Sequence, residues 1–167
     1  MTRGISKRCA KIIQMNLNTV EHEEFMDLAI NEAKQAKALG DWPFGCVIVK
    51  NNLVIGLGRV TEKTGGDITD HAEIRAIKDA CKKLNSNNLS DCTVYCTNEP
   101  CLMCASAIFQ AGIANIAIAL SRDDLPHLLR TRKIRIENLV EDLNFQVNII
   151  RGIKKLEMLA LFEDIGK

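Results

Sequence analysis

Residues 71–120 read HAEIRAIKDACKKLNSNNLSDCTVYCTNEPCLMCASAIFQAGIANIAIAL, and the hydrophobic period changes repeatedly along them. Ile74, Ile77, Cys81 and Leu84 recur at three- and four-residue intervals, which predicts a helix over 72–84 with one apolar face. Asn85–Asp91 is rich in turn formers, and Cys92, Val94 and Cys96 then alternate along a strand over 92–97. After Pro100, residues 101–111 read as a second helix that stops at Gly112. Ile116–Leu120 is a short apolar run, the mark of a strand buried on both faces. Helix, strand, helix, strand in this order argues for a sheet covered by helices.

The flanks agree with that reading. Upstream, Asn18 and Glu21 have capping-box spacing. Phe25, Met26, Ala29, Ile30, Ala33, Ala36 and Leu39 follow at helical intervals, and Gly40 closes the helix. Phe44–Lys50 and Leu53–Gly58 read as a hairpin turning at Asn51-Asn52. Thr61–Asp70, with Gly65-Gly66, reads as a loop. Downstream, Ser121 and Asp124 predict a cap to a short helical stretch that tolerates Pro126 only near its start. Val147–Ile150 is a candidate strand and Ile153–Ile165 a candidate final helix.

The length of 167 residues suits one domain, and 22 basic against 21 acidic residues leave a formal charge of +1. No strong field therefore draws the chain to nucleic acid or membrane. No apolar run reaches the roughly 20 residues of a membrane span. Residues 1–18, with Arg3, Lys7, Arg8 and Lys11 and no apolar signal core, read as a basic tail without fixed structure, and 19–167 as the domain. Cysteines number seven, an odd count that argues against a disulfide framework and for reduced thiols in a cytoplasmic protein. Cys46, Cys81, Cys92 and Cys96 read as small core residues, whereas Cys101 and Cys104 do not.

Chemistry gathers in His71-Ala72-Glu73 and in Pro100-Cys101-Leu102-Met103-Cys104, two helix starts separated by one strand. Catalytic zinc takes three nitrogen or sulfur ligands and leaves a fourth position for water. Cys101 and Cys104, at i and i+3, share one side of a first helical turn, and His71 adds a nitrogen. Glu73 lies two residues beyond His71, yet at a helix start both side chains reach a pocket past the helix end. There Glu73 is the proton carrier rather than a fourth ligand.

These residues match the H-x-E…P-C-x-x-C signature of zinc deaminases. The chain resembles the cytidine deaminase superfamily, in the branch of bacterial guanine deaminases and tRNA adenosine deaminases. The resemblance spans about Phe25 to Leu120, including Pro43–Val49, Asp70–Ile77 and Glu99–Ala105. It implies a three-layer α/β/α sandwich with a five-stranded mixed sheet. It also implies Zn2+ held by His71, Cys101 and Cys104, proton transfer by Glu73, and attack at the ring carbon bearing an exocyclic amine. Phe44, Ala72, Glu99 and Pro100 become substrate-binding candidates, and a homodimer is expected. Several family positions differ. Gly58 and Arg59 stand where a base-contacting Asn is usual, Gln110 where guanine deaminases carry Trp, and Asp67-Ile68-Thr69-Asp70 replaces Asp-Pro-Thr-Ala. Ser121-Arg122-Asp123-Asp124 follows neither the guanine-enzyme nor the tRNA-enzyme pattern.

The bland readings place His22 and His127 on the surface, Trp42 as a seal between helix and strand, and Arg122, Arg130, Arg132, Lys133 and Arg135 on a solvated face. The leading functional reading is a guanine deaminase-like enzyme acting on a small aminated base or nucleoside, with nucleic acid the less favoured partner. A tRNA wobble adenosine deaminase is the first alternative. A non-catalytic zinc-binding partner subunit is an alternative of another class, and a Cys-x-x-Cys redox protein a third.

Overall fold

A computed structural model describes residues 19–129, 132–143 and 146–165. The basic tail, Asn18, Cys9 and Arg130 lie outside the described residues. The elements are α1 (Thr19–Ala38), β1 (Gly45–Lys50), β2 (Leu53–Arg59), α2 (Glu62–Gly65), α3 (Ala72–Leu84), β3 (Thr93–Asn98), α4 (Leu102–Gln110) and β4 (Asn115–Leu120). A 3-10 turn (Arg122–Asp124), α5 (Ile136–Asp142), β5 (Asn148–Arg151) and α6 (Lys155–Ala160) complete the order.

The five strands run in the order β2-β1-β3-β4-β5, with β1 antiparallel to both β2 and β3 and the other two pairs parallel. This is the expected mixed sheet. Asn51 and Asn52 both take positive φ (50° and 60°) in the β1–β2 hairpin, as a two-residue primed turn requires. One face of the sheet packs Ile48, Val94, Cys96, Ile116 and Ile118 against Ala72, Ala76, Ala105, Ile108 and Ile136 of α3, α4 and α5. The opposite face packs Val47, Tyr95, Ala117 and Ala119 against Met26, Ala29, Met158 and Phe162 from α1 and the α6 region. Sheet and helices thus form the three layers.

Two glycines set how closely the helices approach. A Cβ at Gly45 would stand 2.0 Å from Ala29 O on α1, and one at Gly58 would stand 2.1 Å from Ala72 O on α3. Only a strand without a side chain at these points lets α3 sit this low. Its first turn is therefore fixed against β2. β3 and β4 end on the same side of the sheet, where the crevice beyond the carboxyl ends of the strands is the usual ligand site of open α/β sheets.

The structure corrects several expectations. Residues 61–70 are not wholly loop, because α2 forms one turn inside them. The final helix ends at Ala160 rather than Ile165. α5 was not foreseen. Only seven residues long, it begins at Ile136, where a basic stretch ends in Ile134 and Ile136 alternating like a strand. His22 is buried rather than exposed, with Nδ1 3.0 Å from the Tyr95 hydroxyl, whereas His127 is exposed. Cys46, Cys92 and Cys96 are buried in the core and Cys81 is half-buried, as their alternation and spacing implied. No helix among the described residues is long and apolar enough to cross a membrane.

Candidate active site

His71 is the N-cap of α3, extended at φ −74° and ψ 155°. A tight turn delivers it: the Thr69 N–H donates to Asp67 Oδ1 at 2.8 Å and the His71 N–H to Thr69 O at 2.8 Å. Arg75, one turn into α3, binds Asp70 at 3.1 Å and pins the residue before the histidine. Cys101 is the N-cap of α4, and its carbonyl accepts the Ala105 N–H at 2.8 Å. Cys104 lies buried in the first turn of that helix. Both helix starts therefore aim at one point.

At that point Cys101 Sγ lies 3.6 Å from Cys104 Sγ and 3.6 Å from His71 Nδ1, and Cys104 Sγ lies 3.4 Å from the same nitrogen. Metal–ligand bonds of ~2.3 Å to sulfur and ~2.0–2.1 Å to nitrogen give tetrahedral edges of roughly 3.5–3.8 Å. The triangle fits zinc with one corner to spare. Among the described residues this is the group of His, Cys, Asp or Glu side chains close enough to hold a metal ion. The two thiols compete for a proton across their contact. The hydrogen bond between the two sulfurs pulls the Cys101 pKa down to about 3, while the same bond and burial push that of Cys104 up. The hydrogen bond to Cys101 also raises His71, despite its partial burial. A divalent cation held here would relieve this competition by taking both sulfurs as thiolates.

Glu73 is 9% exposed, and burial raises its pKa above the ordinary carboxylate range. It lines, with His71 and Cys101, a cavity of about 220 Å³. Phe44, Ala72 and Glu99 line the same cavity, whereas Pro100 is buried outside the lining. Trp42, read as a seal, also lines it. Its ring stacks on Phe44 at 6.4 Å between centroids, with the Lys63 ammonium 4.7 Å from the indole centroid on its other contact.

Neither residue at the variant family position faces this space. Gly58 packs on α3, and Arg59 turns to α1, where it binds Glu32 at 3.1 Å and Gln35 at 3.3 Å. Gln110 is exposed at the end of α4. The basic cluster is not one solvated face either. Arg122 and Arg132 line the cavity, while Arg135 is bound to Glu99 and Asp123.

Several lining residues escaped the sequence reading. Glu62 places a carboxylate oxygen 3.8 Å from His71 Nε2, the side of the ring opposite the sulfurs. Such a carboxylate orients a metal-bound imidazole. Thr97 Oγ1 accepts the Gly45 N–H at 2.9 Å and joins β1 to β3 at the cavity edge. Asn98 is buried, with Nδ2 donating to Glu99 O at 3.3 Å and no partner for Oδ1 among the described residues. The position of Asn98, directly before the Glu-Pro-Cys turn, was the available signal.

A family model for the cytidine and deoxycytidylate deaminase zinc-binding region matches residues 19–120. The chain belongs to this deaminase family. Its relatives include a tRNA-specific adenosine deaminase of Aquifex aeolicus, 39% identical over 56% of this chain and 62% of that protein. A guanine deaminase of Bacillus subtilis is 42% identical over 63% of this chain and 68% of its own length. A structure from work on A-to-I editing by tRNA:A34 deaminases superposes with TM-score 0.72 at 28% identity, covering 83% of this chain and 98% of that chain. This chain thus spans less than two thirds of the Aquifex protein and more of the Bacillus one. Relatives of both kinds, a tRNA-specific adenosine deaminase and a guanine deaminase, are thus among the matches.

Proposed function

We propose that this deaminase removes the exocyclic amine of an aminated nucleobase or nucleoside by hydrolysis, with guanine to xanthine and ammonia as the leading case. The observation that carries the proposal is the three-atom ligand triangle sharing one small cavity with the buried Glu73. His71, Cys101 and Cys104 would hold zinc, which would supply Lewis-acid activation of water there. Glu73 then moves the protons, accepting one as water adds to the amine-bearing ring carbon. It passes that proton to the ring nitrogen. It then takes the second proton from the newly added hydroxyl and gives it to the amine as the C–N bond breaks, so that a carbonyl forms and ammonia leaves neutral. A raised pKa suits a carboxyl that must both hold and release a proton near neutrality.

The cavity, at about 220 Å³, is smaller than the ~300–1,000 Å³ sites that enclose drug-sized ligands, and its Phe44–Trp42 wall suits one flat heterocycle. A second reading, deamination of adenosine in tRNA, is favoured by Arg122 and Arg132 on the lining, since guanidinium groups at a cavity rim suit a phosphate backbone. A non-catalytic zinc-binding subunit has no use for a buried acid beside the metal.

The test is ammonia release from guanine, adenine, cytosine and their nucleosides by zinc-loaded protein. Turnover of guanine carries the first reading. Silence on every small molecule, with conversion of adenosine to inosine in tRNA anticodon stem-loops, carries the second. Silence on all of them overturns the enzymatic reading.

A further inference from the structure

Glu99 lies two residues before Cys101 and is 4% exposed, yet nothing in the chemistry above uses its carboxylate. Arg135 Nε donates to Oε1 at 3.3 Å, and Arg151 Nη1 donates to Oε2 at 2.9 Å. The Arg122 backbone N–H donates to Oε2 at 3.4 Å, and the Glu99 N–H itself donates to Leu120 O at 2.8 Å. Each arginine is held from behind as well. Arg135 grips Asp123 through both terminal nitrogens at 3.0 and 2.8 Å, and Arg151 pairs with Glu137. One buried carboxylate thus joins the end of β3, the 3-10 turn, the N-cap of α5 and the last residue of β5. Both arginines lie beyond residue 120, where the family match ends.

We infer that Arg135 and Arg151 are positioning residues for the metal centre, acting through Glu99. They hold the Glu99-Pro100-Cys101 turn so that Cys101 Sγ keeps its place 3.6 Å from both Cys104 Sγ and His71 Nδ1. They also fasten the wall carrying Leu128, Leu129 and Arg132 to the strand end beneath it. Removing one arginine leaves a buried carboxylate oxygen underpaired, and the turn relaxes toward water to satisfy it. Outer partners of metal ligands typically change metal affinity or activity by ~10–100-fold. The inference rests on the metal reading given above, and its test separates the two.

The experiment measures zinc affinity by chelator competition and the absorption spectrum of the cobalt(II)-substituted full chain, together with thermal midpoints. The wild-type protein binds one zinc, and its cobalt form shows thiolate ligation. Absence of that binding sinks the metal reading and this inference with it. With wild-type binding established, Arg135→Gln and Arg151→Gln are expected to weaken zinc about 10–100-fold and to alter the cobalt bands. The corresponding Lys variants, which keep the charge but lose the fork, recover part of the affinity. Lys83→Gln, which removes only an exposed ion pair with Asp79 at the far end of α3, leaves zinc affinity unchanged. A merely structural role lowers the thermal midpoints of the Gln variants while affinity and spectrum stay wild-type, and that result overturns the inference. If the Gln variants do not fold, the Lys variants decide: wild-type affinity and spectrum in both overturn it, and weakened zinc with altered bands supports it.

Discussion

The cavity has a floor and a wall built on opposite principles. The floor, from α3, the end of β3 and the start of α4, is held by close packing of small residues. Gly58 lies against Ala72, and Ala76, Ala80 and Ala105 are fully buried. The wall, from residues 122–129 and 132–135, is held by long charged side chains: Arg135 to Glu99 and Asp123, with Arg151 beneath. Packing of the first kind has no slack, because one added methyl must displace backbone. Ion pairs exchange partners more freely, so the outer residues of the wall, such as Arg132, can change what enters. Arg135 and Arg151 meanwhile tie the wall to the Cys101 turn through Glu99. On the function proposed here, the floor carries the reaction and the wall carries the choice of substrate.

The sharpest way to break that division is at the floor. Glu73→Gln is expected to lower turnover by ~10²–10⁴-fold or more while zinc content, measured by elemental analysis, stays at wild type. The same change is expected to raise the thermal midpoint of metal-stripped protein at neutral pH. Burial raises the folded-state pKa of Glu73. Its contribution to stability is therefore full below the unfolded value of about 4.3 and is lost as pH rises through the folded one. Gln has no charge to bury, so its stability does not fall across that window.

Gly58→Ala is next in size. The new Cβ would meet Ala72 O at 2.1 Å and Ala76 N at 2.6 Å, so α3 must lift and carry His71 with it. A destabilisation of about 1–3 kcal/mol is expected from chemical denaturation, together with weaker zinc binding. At the wall, Arg132→Gln should do the reverse. Its stability stays within about 0.5 kcal/mol of wild type, because the residue is exposed, while KM shifts. A shift confined to tRNA substrates, with the salt slope of binding reduced by about 1, would favour the RNA reading over guanine.

The smallest effect lies far from both regions, on the opposite face of the sheet. Burial lowers the pKa of His22. The folded state therefore binds that proton less tightly than the unfolded one. Stability from this residue is full above about 6.5 and is lost as pH falls through the depressed folded value. His22→Gln, which can still meet the Tyr95 hydroxyl, is expected to flatten this slope in denaturation curves collected across that range.

Much of the floor was legible before any coordinates. Helix period, strand alternation, the Asn51-Asn52 turn and the His-x-Glu and Cys-x-x-Cys spacings are local signals, written within a few residues of one another. The wall was not legible. α5 is too short for its period to stand out, and the cluster from Arg122 to Arg135 looked like a solvated face. His22 looked exposed because nothing near it in sequence announces Tyr95, seventy-three residues away.

Local order along the chain is enough to name the helix starts, the strand between them and the chemistry their side chains suit, since each depends on neighbours three or four positions apart. Which charges face the cavity, which are consumed by Glu99, and how low α3 rests on β2 depend on partners brought together only by packing. Burial and pairing are properties of that packing. A one-dimensional pattern holds the residues for them but not the distances.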